Sequence, residues 1–399
     1  MSLFRIGFLP LVDAVLPIVA HEHGLARAEG LDLELVRDSS WATVRDRLIY
    51  GQTDAAHLLA PLAIATALGL DRPAVPISAP FMLGLNGNAI TVSPRIASAL
   101  GNRADDVALT GQRFAAEAQA ARKAGKRLRL AVVHRYSSHN YMLRYWLAGS
   151  GCDPDRDVEI VVVPPPFVAE ALQSGEIDGS CVGEPWNSVA VARGAGVIIA
   201  ATTQIWRRGV EKILAMRTAT LGERADEVTA LLRALHAAGK LAVDPAGRAA
   251  IAALLARPEY LDQPAQLISA ALEGRLVLAR GGAPTDLDDF LVVHREAANF
   301  PWRSQAMWLY TQMVRWGQAG PDLRDLGRAA SVFRPDVYRA ALAGSAATLP
   351  GASSKLEGAV TDALGVSTAQ GRLILGSDTF FDRQSFDPDD IPGYLKRLA

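Results

Sequence analysis

Trp41, Asn88, His139 and Lys212 share one chemical property: each donates hydrogen bonds. They offer an indole N–H, an amide NH2, a ring N–H and an ammonium that adds a full positive charge. The set contains no evident nucleophile–base pair, so it reads as a binding site. Donors with one fixed cation suit a small anion. His139 follows two serines in "SSHNYMLRYWL", at the expected start of a helix. Free backbone N–H groups and a favourable dipole at that end would reinforce anion binding.

Taken singly, each residue has an ordinary structural reading. Trp41 packs, Asn88 turns a chain, His139 opens a helix, and Lys212 is solvated, because burying its charge is costly without an anion. Glu184 in "VGEPWN" caps a turn, pairs with an arginine, or forms an acid–base pair with His139 if the two come within hydrogen-bond reach. Ser40, Pro165, Gly183 and Glu184 are the candidate pocket wall.

What lifts these readings is where the residues fall. Two stretches of the chain follow one plan of strand, helix, strand, helix, Gly-x-x-Asp turn, strand and proline. The first runs from "FRIGFLP" to "DAAHLLAP", the second from "LRLAVVH" to "GSCVGEP". Gly51, Asp54 and Pro61 match Gly175, Asp178 and Pro185 at a constant offset of 124 residues. The glycine ends a helix in the left-handed conformation and the aspartate caps the turn into the next strand. Two similar α/β lobes are expected, with ligand between the carboxyl ends of their strands. Trp41 follows the second strand of the first lobe, with Ser39 or Ser40 as N-cap. Asn88 lies in a Gly–Asn crossover before a strand, His139 opens the first helix of the second lobe, and Lys212 stands where the chain returns to the first.

Composition narrows the classes. The chain has 399 residues, 50% hydrophobic and 21% charged, with a formal net charge of −1 and no long run of Lys or Arg. Neither a direct nucleic-acid surface nor a membrane span is signalled. The two cysteines, Cys152 and Cys181, make no disulfide framework and no zinc spacing. "FLPLVDAVLPIVA" resembles the apolar part of a secretion signal, but Asp13 and two prolines interrupt it. It reads as strand, loop and helix of an unprocessed, cytoplasmic protein.

After residue 205 the pattern turns helical, in "ADEVTALLRALHAAGKLAV", "AGRAAIAALLA", "PAQLISAALEG" and "RSQAMWLYTQMVRWGQ". Trp308, Met313 and Trp316 read as core. The small-residue stretch 342–372 reads as loop or weak helix, and the tail "TFFDRQSFDPDDIPGYLKRLA" is expected to pack back on the body.

The motifs "GFLPLVDAVLPIVAHEHGL", "SSWATVRDRL", "DAAHLLAP", "HNYMLRYWLA", "VVVPPP", "VGEPWN" and "VRWG" resemble the nitrate/bicarbonate solute-binding proteins of ABC importers, over essentially the whole chain. The resemblance implies an α/β, two-lobed type II periplasmic-binding-protein fold. Lobe I would comprise residues 1–88 and 205–399 and lobe II residues 89–204, with an anion cleft between them. In nitrate-binding members a tryptophan, a glutamine, a histidine and a lysine hold the anion. Trp41, His139 and Lys212 match three by motif, and Asn88 stands at the glutamine's place, one methylene shorter. Bicarbonate-binding relatives carry an acidic residue at the position of Lys212 and use calcium. The lysine therefore points to nitrate or nitrite, with no metal and no cofactor. Members without an export signal resemble NasS-type cytoplasmic nitrate/nitrite sensors, which hold an RNA-binding antiterminator (NasT type) until anion releases it. That implies a non-enzymatic sensor, with an ABC-importer component as the alternative and a pyrimidine-synthase-like enzyme as a remote one. On this reading Lys212→Glu abolishes nitrate binding and leaves the fold intact.

Overall fold

Two mixed sheets of the same design organise the chain. The computed structural model describes residues 1–101 and 106–398. The first sheet contains β1 (Ser2–Phe8), β2 (Leu31–Arg37), β3 (Ala55–Leu59), β4 (Ile77–Asn86) and, much later in the chain, β10 (Val210–Arg217). The second contains β5 (Asn88–Val92), β6 (Leu128–Val132), β7 (Val158–Val162), β8 (Gly179–Gly183) and β9 (Val197–Ala201). The strand orders are β2-β1-β3-β10-β4 and β7-β6-β8-β5-β9, and a two-residue strand, Leu291–Val292, extends the first sheet beyond β4. In each, the first three strands and the last run parallel, and the fourth, β10 or β5, runs antiparallel to both of its neighbours.

The repeat seen in the sequence is a structural repeat. Ile6 pairs with Ala55 and Leu130 with Gly179, again 124 residues apart. Gly51 and Gly175 adopt φ of 75° and 73°, the left-handed region glycine enters without a Cβ penalty. The aspartates reach further than the turn. Asp54 accepts the backbone N–H of Arg5 at 2.7 Å, and Asp178 accepts that of Arg129 at 3.0 Å. Each aspartate thus ties its turn to the first strand of its own sheet, and each also pairs with an arginine, Arg224 and Arg95 respectively.

β3 and β8 are buried along their whole length, as expected for central strands covered on both faces. The chain crosses between sheets at Asn86–Gly87, both with positive φ, and returns through residues 202–209. Asn88, expected as the last residue before the second lobe, is already the first residue of β5 in the second sheet.

"FLPLVDAVLPIVA" is an integral part of the first sheet and its cover: it forms the end of β1, the turn Val12–Ala14 and the buried helix Val15–Glu22. No described helix is long and apolar enough to cross a membrane. Both cysteines are free and buried.

The helices expected after residue 205 are present at Ala225–Ala242, Arg248–Leu255, Ala265–Glu273 and Arg303–Arg315. Trp308 and Met313 are core residues, whereas Trp316 is half-buried beneath the guanidinium groups of Arg144 and Arg315. The small-residue stretch is no weak helix. It forms two short antiparallel ribbons, Leu349–Pro350 with Thr368–Gln370 and Leu364–Val366 with Leu373–Leu375. Repeated glycines disfavour a helix there, and Gly371 supplies a turn at φ 75°. The tail does pack back: Phe380 stacks on Trp206, Tyr145 bonds to Asp382, and the Trp308 indole donates to the Tyr394 hydroxyl.

Asp178→Ala should lower stability by about 2 kcal/mol, the usual cost of losing a charged acceptor from a mostly buried backbone donor. Asp54→Ala should cost a similar amount, and urea denaturation with a tryptophan readout measures both.

Candidate functional site

The matched topology brings two of the sequence candidates to equivalent places. Lys212 on β10 lies opposite Leu59, the last residue of β3. Asn88 on β5 lies opposite Gly183, the last residue of β8. Leu59 and Gly183 are the same position in the two repeats. The other two candidates arrive on helix starts. Trp41 is the first residue of the helix Trp41–Ile49, capped by Ser40, whose Oγ accepts from Thr43 N. His139 is the second residue of the helix Ser138–Gly149, capped by Ser137 through Asn140 N. All four side chains are buried, with residue exposures of 0 to 1%.

What joins them was not anticipated. Lys212 Nζ lies 3.0 Å from Asp13 Oδ2 and 2.5 Å from Glu211 Oε1. Asp13 Oδ1 lies 2.9 Å from His57 Nε2 on β3. Glu211 Oε2 accepts from Asn88 Nδ2 at 2.7 Å, and its Oε1 is 3.6 Å from His139 Nδ1. The ammonium sits 5.2 Å from the centre of the Trp41 ring, a cation–π distance, and that ring packs against His57. Consecutive strand residues ordinarily face opposite ways. Here the register of β10 against β4 shifts on both sides of Lys212, and such a bulge lets Glu211 and Lys212 reach one cluster.

Burial and pairing set the protonation states. Burial alone would raise the Asp13 carboxyl, but Lys212 and His57 outweigh it and hold it well below the usual carboxylate range. Burial likewise opposes the Lys212 charge, and Asp13 and Glu211 outweigh it, so the ammonium is kept. At Glu211 burial wins over Lys212 and its pKa is raised. His139 is pushed well below its ordinary value, first by burial and then by Lys212, so its ring is neutral near pH 7.

Some polar atoms in this cluster, donors and acceptors, have no partner. Trp41 Nε1 and both ring nitrogens of His139 are buried without a hydrogen bond, as is Asn88 Oδ1. A buried N–H left unpaired costs about 1–3 kcal/mol, so these atoms mark a place built to be completed by a ligand. Catalytic chemistry fits less well. Burial pushes the Cys181 thiol far up, and His139 faces Glu211 while the Glu184 carboxylate turns away to cap Ser188 N at 3.2 Å.

Of the candidate wall residues, Gly183 borders the cluster directly. A Cβ added there would stand 3.2 Å from Asn88 Oδ1 and 3.8 Å from His139 Nε2. Glu184 closes the site with its backbone, its carbonyl accepting from Val12 N beside Asp13. Ser40 is spent on its own helix, and Pro165 opens the short turn Pro165–Phe167 after β7.

Asp13, His57 and Glu211 are the cluster members that sequence reasoning missed. Asp13 and His57 each interrupt an otherwise apolar run, and a charge or imidazole destined for burial needs a partner. Glu211 had no such signal, since strand alternation would turn it away from Lys212.

Two sheets of one topology, with strand ends and helix starts meeting in a buried polar cluster, are the arrangement of the periplasmic-binding-protein fold, and the solved structures that resemble this chain have it. The chain belongs to the NMT1-like family, which it matches over residues 2–256. It is 30% identical to the nitrate/nitrite binding protein NrtA of Synechococcus elongatus, over 98% of this chain and 85% of that protein. It is 32% identical to the nitrate import ATP-binding protein NrtC of Synechocystis, over 99% of this chain but only 55% of that longer protein. The crystal structure of the periplasmic nitrate-binding protein NrtA from Synechocystis superposes with a TM-score of 0.87 at 25% identity, covering 100% of this chain and 99% of that one.

Glu184 is buried and its pKa is raised to about 7 by desolvation, against which its bond to Ser188 works. A carboxyl whose folded pKa lies above its unfolded one loses stability as pH rises between the two values, here from about 4.5 to about 7. Glu184→Gln should remove about 3 kcal/mol of that pH dependence, the order given by 1.36 kcal/mol per unit. Denaturation of both proteins at several pH values across this window measures it.

Proposed function

We propose that this protein binds nitrate or nitrite through Trp41, Asn88, His139 and Lys212. The observation that carries the reading is their convergence, from two sheets and two helix starts, on one buried cluster with unpaired N–H donors. The relatives named for nitrate and nitrite agree with it. On this reading the protein is a binding protein and not an enzyme, and neither a metal nor a cofactor takes part.

For its role we propose a cytoplasmic sensor. Anion stabilises the closed cleft, and an RNA-binding antiterminator of the NasT type is held by the anion-free form and released when anion binds. The net charge of −1, without a cationic run, suits a protein that contacts a protein partner and neither nucleic acid nor a membrane itself. The second reading is a component of an ABC importer for nitrate or bicarbonate, favoured by the import function in the name of a relative. The sensor reading expects a complex with the antiterminator that forms without anion and dissociates on adding nitrate. A pull-down with and without nitrate, together with fractionation of the full-length protein, decides; recovery from the periplasm would establish the import reading.

Calorimetry should show nitrate and nitrite binding at micromolar level, about −8 kcal/mol. Binding of bicarbonate only, and only with calcium, would reverse the ligand assignment. Lys212→Glu is a poor probe, because it would leave three carboxylates in contact and destabilise the fold by several kcal/mol. Trp41→Phe keeps an aromatic face but removes the unpartnered N–H together with the rest of the five-membered ring. It should weaken nitrate about tenfold, or about 1.4 kcal/mol, and the cavity left at this buried position should lower stability by about 1–3 kcal/mol, so affinity and melting temperature are measured together.

A further inference from the structure

The charge inside the cluster has a consequence for any anion that enters it. Among the described residues Lys212 is the one permanent cation there, and it already faces two carboxylates, Asp13 and Glu211. The Glu211 carboxylate also occupies donors assigned above to the ligand: its two oxygens take Lys212 Nζ and Asn88 Nδ2, and the His139 ring lies 3.6 Å from it. A carboxylate and a nitrate ion are both planar groups presenting oxygen acceptors with one negative charge. Glu211 is therefore an internal substitute for the anion, built into the strand beside the lysine.

We infer that anion binding at this site is coupled to uptake of one proton by Glu211, which releases Lys212 and Asn88 to the incoming anion. The inference rests on the nitrate/nitrite reading and adds a specificity device to it. With both carboxylates ionised, a bound monoanion would leave three negative charges around one ammonium in a dry site, a cost that burial makes prohibitive. Nitrate is the anion of a strong acid and does not carry the proton itself, so the proton goes onto the protein: one anion and one proton enter, and Glu211 becomes a neutral carboxylic acid. That acid gains an O–H donor of its own, which can also meet the anion.

The other groups facing the cluster are accounted for. Asp13 is held ionised by Lys212 and His57. His139 on its helix is kept neutral by burial and Lys212. Cys181 on β8 feels the Glu211 charge and is pushed away from titration by burial. His57 on β3 is bonded to Asp13, one step removed from Glu211. Glu184 directs one carboxylate oxygen to Ser188 N, its other oxygen is buried without a partner, and burial raises its pKa to about 7, which is why it serves as the comparison in the test. Glu211 itself is already shifted by burial towards its neutral form.

The test is nitrate and nitrite calorimetry on the full chain as a function of pH, repeated in buffers of different ionisation enthalpy. The expected result is uptake approaching one proton per anion, with Kd rising up to tenfold per pH unit on the alkaline side. In Glu211→Gln the slope should vanish, because the amide is neutral at every pH. Binding by the native protein with no proton uptake at any pH overturns this inference and leaves the nitrate reading standing. No binding at any pH overturns both. Glu184→Gln is the comparison arm: a slope that survives in E211Q, or is lost in E184Q instead, places the proton elsewhere and overturns the assignment. The buffer series on the native protein gives the proton count even where a variant folds poorly.

Discussion

A lysine ammonium with no exposure to water is the constraint around which this protein is arranged. Leaving water costs such a charge several kcal/mol even after relaxation, so it survives only where opposite charge meets it. Asp13 and Glu211 supply that charge, at 3.0 and 2.5 Å from Lys212 Nζ. They come from opposite ends of the first sheet's course through the chain. Asp13 follows β1, the first strand in the chain, and Glu211 lies on β10, which joins that sheet only after the chain has run through the second. The pair therefore couples the return of the chain to its beginning. β10 inserts between β3 and β4, and its bulge sets two successive side chains on one task.

The second sheet answers with its own equivalent strand. β5 has the place in its sheet that β10 has in the first, antiparallel to the third strand of the repeat. Asn88 and Lys212 thus occupy matching positions, and differ in what they bring: a neutral amide on one side and a full charge on the other. The loops after the first strands match as well. That after β1 contributes Asp13, and that after β6 leads to Ser137 and His139. A duplicated scaffold has been filled with unlike chemistry, which lets one site hold a cation, two carboxylates and neutral donors without symmetry forcing like charges together.

Much of this was legible from the chain itself. The Gly-x-x-Asp repeat fixed the equivalence of β3 with β8, because a left-handed glycine and a capping aspartate are local requirements that the sequence states directly. Trp41 and His139 could be placed because serine caps mark helix starts. The partners of Lys212 were illegible for a different reason. Contact between Asp13 and Lys212 spans about half the chain, and Glu211 reaches the site only through a bulge that no periodicity announces. Lys212 read from sequence was an uncompensated cation. In the fold its charge is already met by Asp13 and Glu211, so an anion proposed to bind there would have to displace a carboxylate as well as meet the donors. The ribbons in and just beyond the small-residue stretch 342–372 were missed because their pairing is set by packing around them, with too few residues per strand to show alternation.

The same carboxylate bears on how the cleft closes. Glu211 belongs to the first sheet and Asn88 to the second, so the 2.7 Å bond between them spans both. Val12 N to Glu184 O and the Trp186 indole to Pro10 O span them too. A ligand shifts a conformational equilibrium only by the difference in its free energy between the two states. On the proposed reading, an anion entering here would not create a bridge where none existed; it would replace the Glu211–Asn88 bridge with one of its own. Its contribution to closure is then the difference between two bridges, which is smaller than the binding energy itself. On that reading the anion would be held firmly while open and closed forms stayed close in free energy. That balance is what a partner needs if it is to favour one of them.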